Sequence, residues 1–112
     1  MHLSEKIRSD IAVLSLKGSL LDEQDDERLK EKIDSLTSDN IKKVVLDMKL
    51  VNRVNSRGLS TLVSVLEIMQ KHGGDLRLAA IDKHIFDILT ITNLVRFFST
   101  YETVDRAMAS FS

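Results

Sequence analysis

The sequence predicts an α/β fold, a mixed and mostly parallel sheet of about five strands with an N-terminal hairpin and about four helices. Three observations predict it. Two alternating runs flank Ser9-Asp10 at the start of the chain, the pattern of an antiparallel hairpin. Beyond them, segments with apolar residues at helical spacing alternate with short apolar runs, giving the order β-β-α-β-α-β-α-β-α. Each β-α-β step requires a right-handed crossover, which lays its two strands parallel in one sheet.

The elements follow in order. His2–Arg8 alternates weakly, with Leu3 and Ile7 apolar, and Ser9-Asp10 supplies the tight turn. In Ile11–Lys17, Ile11, Val13 and Ser15 fall on one face and Ala12, Leu14 and Leu16 on the other; Gly18 is expected to end this strand. Leu21–Gln24 leads into a helix. Asp22, Glu23, Asp25, Asp26 and Glu27 crowd its start, where negative charge complements the helix dipole. Leu29, Ile33 and Leu36 form its buried stripe, and Thr37-Ser38-Asp39-Asn40 breaks it.

Val44–Met48 reads as a short buried strand and Leu50–Asn55 as a connector. A second helix is expected from about Arg57 to His72. Leu59, Leu62, Val63, Leu66 and Met69 line one face, Ser60, Ser64, Glu67 and Lys71 the other, and Gly73-Gly74 stops it. Leu76–Ala80 is the next strand. Asp82 caps a helix carrying Ile85, Ile88 and Leu89. Phe97-Phe98 reads as a short strand, and Thr100–Thr103 as the start of a last helix with Val104, Ala107, Met108 and Phe111 on one face.

With 112 residues the chain is expected to form one domain over residues 1–112. Its mass of 12.7 kDa corresponds to a folded surface of roughly 6,200 Å², so one core suffices without a staple. A net charge of -1 gives no footprint for nucleic acid or anionic lipid. Cysteine is absent, which excludes disulfides, zinc–cysteine sites and thiol catalysis. Aromatics are 4%, too few for a base-stacking platform. No long apolar run or signal core appears, so a cytoplasmic protein away from membranes is expected. His2, His72 and His84 lack metal-ligand spacing, and Asp22–Glu27 lacks the glycine and terminal glutamate of a calcium loop. No metal, cofactor or enzymatic activity is expected.

Chemistry in open α/β sheets collects at the C-terminal ends of parallel strands. Here that directs attention to Asn55-Ser56-Arg57-Gly58-Leu59. Asn55 can cap the second helix with its side-chain oxygen, placing Ser56 at the first helical position. The Ser56 hydroxyl then lies near free backbone N–H groups and the positive end of the dipole, a favourable place for a phosphate. Gly58 would let a partner's backbone approach, and Arg57 would pair with a phosphate or face a partner. These residues alone leave two readings open, a plain helix cap and a phosphoacceptor.

The strand–loop–Asn55-Ser56-Arg57-Gly58-Leu59 unit, the following Gly73-Gly74-Asp75-Leu76-Arg77-Leu78, the Lys17-Gly18-Ser19-Leu20 turn and the Ile91–Val95 segment with Phe97 resemble the STAS domain. More closely, the chain is similar to single-domain bacterial anti-sigma factor antagonists, over about Ile7 to Ala109. The family's core motif is Asp-Ser-Ser/Thr-Gly-Leu, whose first serine is phosphorylated. Ser56 stands at that serine, and Gly58 and Leu59 match. Asn55 replaces the aspartate and Arg57 the second Ser/Thr. Leu21 stands where the family usually has an acidic residue, with Asp22 one position late.

The resemblance implies a STAS fold and a partner switch. The unphosphorylated chain would bind a serine-kinase anti-sigma factor of the histidine-kinase-like ATPase fold. Phosphorylation of Ser56 would release it, and a PP2C-type phosphatase would restore binding. The implied partner surface comprises Asn55, Ser56, Arg57, Gly58 and Asp22, with Ser60 and Thr61 at the exposed start of the second helix. A STAS regulator of a non-sigma target (secretion, biofilm or polysaccharide, or stress assemblies) and a small-ligand-binding STAS module remain as alternatives.

Overall fold

Ser9, at φ 58°, turns the chain back and pairs β1 (His2–Arg8) with β2 (Ile11–Leu20) in antiparallel register, Arg8 opposite Ile11 and His2 opposite Lys17. The computed structural model describes residues 1–112. Three parallel strands continue the sheet, β3 (Lys43–Val54), β4 (Asp75–Ala79) and β5 (Ser99–Tyr101), in the spatial order β1-β2-β3-β4-β5. Four helices connect and close it: α1 (Glu23–Ser38), α2 (Ser56–Lys71), α3 (Lys83–Ile91) and α4 (Val104–Ala109).

This order fixes the layers. Every crossover from β2 to β5 steps the same way across the sheet, so right-handedness puts α1, α2 and α3 on one face. Their apolar stripes, including Leu29, Ile33, Leu62, Met69, Ile85 and Leu89, meet Ala12, Leu14, Leu16, Leu46 and Leu78 in the main core. Only α4, which follows the last strand, covers the other face. There Ala107 packs on Ile11, Val13, Val45 and Ala79. The accessible surface is 6236 Å², in line with the chain's mass. No helix is long and apolar enough to cross a membrane.

Several boundaries differ from expectation. Gly18 does not end β2. It lies inside the strand at φ 101°, next to a register shift, and its missing Cβ lets the ladder run on to Leu20. Leu50–Val54 is the second half of β3 rather than a connector, with Val51 opposite Gly18 and Val54 opposite Leu20. Two register shifts break the period of two there, which hides the strand from an alternation rule. Thr37 and Ser38 extend α1. On α2, Val65 is fully buried whereas Val63 is only half-buried.

Phe97 ends a short 3-10 turn, Leu94–Phe97, and is exposed; only Phe98 enters the core. The strand follows it. Thr100 and Tyr101 therefore belong to β5, and the last helix begins after its cap Thr103.

Candidate functional site

The second half of β3 carries the chain beyond the end of β4 and delivers Asn55 to the start of α2. Asn55 has extended backbone angles, and its Oδ1 accepts from the Gly58 amide at 2.9 Å. Its Nδ2 donates to the Leu21 carbonyl at 2.9 Å. The Leu21 amide in turn donates to Asp25 Oδ2 at 3.2 Å. One amide side chain thus caps α2 and ties it to the loop that precedes α1.

Ser56 is the first residue of α2 and is exposed. The hydrogen bonds of this turn run through Asn55 and Thr61 and leave its hydroxyl out. The Gly58 and Leu59 amides are taken by Asn55, so those of Ser56 and Arg57 remain as the free donors of the helix start. Arg57 and Ser60 are exposed as well.

Gly58 and Thr61 are buried, contrary to the expected contact surface. A Cβ on Gly58 would lie 2.2 Å from the Leu20 carbonyl oxygen. The close approach that this glycine permits is therefore internal, between α2 and the end of β2. Thr61 is 1% exposed. Its hydroxyl lies 2.5 Å from Asp26 Oδ1 and 3.0 Å from the Arg57 carbonyl. A hydroxyl donates one proton, and the shorter contact to a carboxylate takes it. Thr61 is a staple between α1 and α2, not an exposed contact. Asp22 is exposed and caps α1, accepting from the Asp25 amide at 2.9 Å.

Two further carboxylates flank the site. Asp25 is buried and paired at 3.0 Å with the N-terminal ammonium of Met1. Burial pushes its carboxyl up, but the ammonium and the backbone N–H groups at Leu21 and Asp22 outweigh this and hold it below the ordinary aspartate value. Asp26 is pushed up by desolvation and pulled down further by the Thr61 hydroxyl, by Lys30 at 3.0 Å and by the charge of Arg57. A carboxylate so engaged is a poor general base.

Asp26, Lys30, Ser56, Arg57, Ser60 and Ser64 line one groove between α1 and α2. Asp26, Lys30 and Ser64 were not among the expected site residues. The Asp26/Lys30 pair at i, i+4 was the available signal in the acidic run.

The STAS domain family profile matches residues 2–107. A Thermotoga maritima protein named as an anti-sigma factor antagonist is 26% identical over 103 residues, covering 92% of this chain and 91% of its own. A Thermotoga maritima crystal structure bearing the same description superposes with a TM-score of 0.87 at 24% identity, over 96% of this chain and 92% of that one. Bacillus SpoIIAA in its phosphorylated form gives a TM-score of 0.75 at 12% identity, over 99% of this chain and 100% of that one. At these identities the structures speak to the fold.

Proposed function

From this chain's membership of the STAS domain family, we propose that it is an anti-sigma factor antagonist-like regulator that works by partner switching at Ser56. The observation that carries the reading is the exposed, unbonded Ser56 hydroxyl at the first position of α2, held there by the Asn55 cap. Its sequence relatives are named as anti-sigma factor antagonists, and SpoIIAA, of the same fold, exists in a phosphorylated form. Both facts support the reading. The partner in this proposal is an anti-sigma factor that is also a serine kinase, and a PP2C-type phosphatase resets the switch. The chain itself catalyses nothing.

The physical logic is electrostatic. In the unphosphorylated state Asn55, Ser56, Arg57 and Ser60 present a small polar surface with one positive charge, to which an acidic partner patch is complementary. A phosphate adds about -1.5 to -2 charge at neutral pH. In a packed interface that charge must be desolvated against acidic groups, and a few kcal/mol weakens binding by roughly a hundredfold or more.

Incubation with the candidate kinase and ATP, followed by phosphosite mass spectrometry, should place the phosphate on Ser56. In a pull-down, Ser56→Ala should hold the kinase constitutively and Ser56→Asp should lose it. Equal binding by the two variants, or a kinase-treated chain without phosphate at Ser56, sinks the proposal.

A further inference from the structure

The groove beside Ser56 holds two cations, Lys30 and Arg57, against one carboxylate, Asp26. Lys30 is held by Asp26 at 3.0 Å across one turn of α1. Arg57 has no carboxylate within ion-pair distance, although its charge is felt at Asp26. It flanks the row formed by Ser56, Ser60 and Ser64 at i, i+4 and i+8 on the same groove wall. A dianionic phosphoryl group carries more charge than a carboxylate, so it attracts a lysine's point charge more strongly, and it pairs with the two-pronged guanidinium of an arginine. The amides of Ser56 and Arg57 add two donors on the same side.

We infer that Arg57 and Lys30 form an intramolecular cradle for a phosphate on Ser56, with Lys30 passing from Asp26 to the phosphoryl oxygens. This rests on the reading of Ser56 as the phosphorylated residue and adds how the modified state is held. The consequence is a second release mechanism. In the unmodified chain Arg57 is exposed and free to meet a partner; once Ser56 is phosphorylated, Arg57 folds onto the phosphate and leaves the contact surface. Phosphorylation thus adds a negative charge and withdraws a positive one. Arg57 stands where the resembled motif carries Ser or Thr, so the motif alone does not supply this guanidinium.

The test installs phosphoserine at position 56 during synthesis, which makes it independent of any kinase. The kinase experiment above judges the switch separately. Phosphorus NMR then follows the second ionisation of the phosphate, which lies near 6 for free phosphoserine. The cradle lowers the midpoint by about one unit in the wild-type chain. Arg57→Ser and Lys30→Gln should each move it back towards 6. Asp26→Asn, which frees Lys30 and removes the opposing carboxylate, should lower it further. Lys71→Gln, at the far end of α2 and roughly 22 Å along its axis, should leave it unchanged. A wild-type midpoint at or above 6 overturns the inference. So does a low midpoint that neither Arg57→Ser nor Lys30→Gln moves, because the helix amides alone would then account for it. Arg57 is exposed, so its variant folds and the test stands even if Asp26→Asn does not.

Discussion

A methyl group added at Gly58 would meet the Leu20 carbonyl oxygen at 2.2 Å and Val54 Cγ1 at 2.8 Å. The first of these is backbone in a paired strand and cannot rotate away. Gly58→Ala should therefore push the first turn of α2 off the sheet and cost about 1–3 kcal/mol, a fall in Tm of some 4–8 °C per kcal/mol for a domain near this size. An unchanged melting curve would show that the contact yields. Asn55→Asp is a second informative change. It restores the aspartate of the resembled motif and gains a favourable charge at a helix start. It also replaces the Nδ2 donor to the Leu21 carbonyl with an acceptor, beside Asp22, Asp25 and Asp26. An acceptor turned on an acceptor loses the bond and its about 1 kcal/mol, so the variant should melt below wild type while keeping its cap. Equal or higher stability would mean that the charge gained at the helix start outweighs the link to Leu21. Asn55 as cap and Ser56 as first helical residue were legible because capping is decided within four residues. The reason for Gly58 and the burial of Thr61 were not, because their partners Leu20 and Asp26 are remote in sequence, 35 residues away in the case of Thr61.

Between elements, the Thr61–Asp26 bond joins α2 to α1 from a buried position. Thr61→Val keeps the shape and removes the donor. Asp26 then retains Lys30 but loses its partner on α2, so the change should destabilise by about 1.5–3 kcal/mol, the range for a hydrogen bond to a charged group. Urea titration reads the loss, and the Asp26 carboxyl followed by NMR should move up towards the ordinary aspartate value. A carboxyl that does not move would deny the bond. The same scale shows which elements a sequence exposes. α1, α2 and α3 were readable because each has a cap and a stripe, with Asp22, Asn55 and Asp82 all accepting from the third residue beyond. The second half of β3 and the position of β5 were not. Bulges erase the period of two in the former. In the latter, two adjacent phenylalanines read as one strand although Phe97 ends a 3-10 turn and only Phe98 points inward.

For the whole molecule, the order of strands was legible because right-handed crossovers leave little choice once the hairpin and three β-α-β steps are recognised. The charge balance was legible as a net value of -1 but not as a distribution. The structure concentrates depressed carboxyls at one end: Asp25 and Asp26 both titrate below the ordinary aspartate value. Asp10, held down by Lys43, is exposed at the hairpin turn and contributes little through solvent screening. A carboxyl with a lower value folded than unfolded stabilises fully above the unfolded value, near 4, because below it the unfolded chain binds the proton first. Stability should therefore hold steady down to about pH 4 and fall as the pH drops through the folded values of Asp25 and Asp26. General repulsion also grows there, since the acidic groups neutralise while the basic ones stay charged. Salt separates the two effects. At about 1 M the Debye length is near 3 Å, which screens distant repulsion far more than a short bond to a buried partner such as Thr61 or the Met1 ammonium. The acid decline should persist at high salt in the wild-type chain and be shallower in Thr61→Val, whose Asp26 has lost part of its depression. Equal slopes for the two chains at high salt would assign the acid limb to net charge instead of to these two carboxylates.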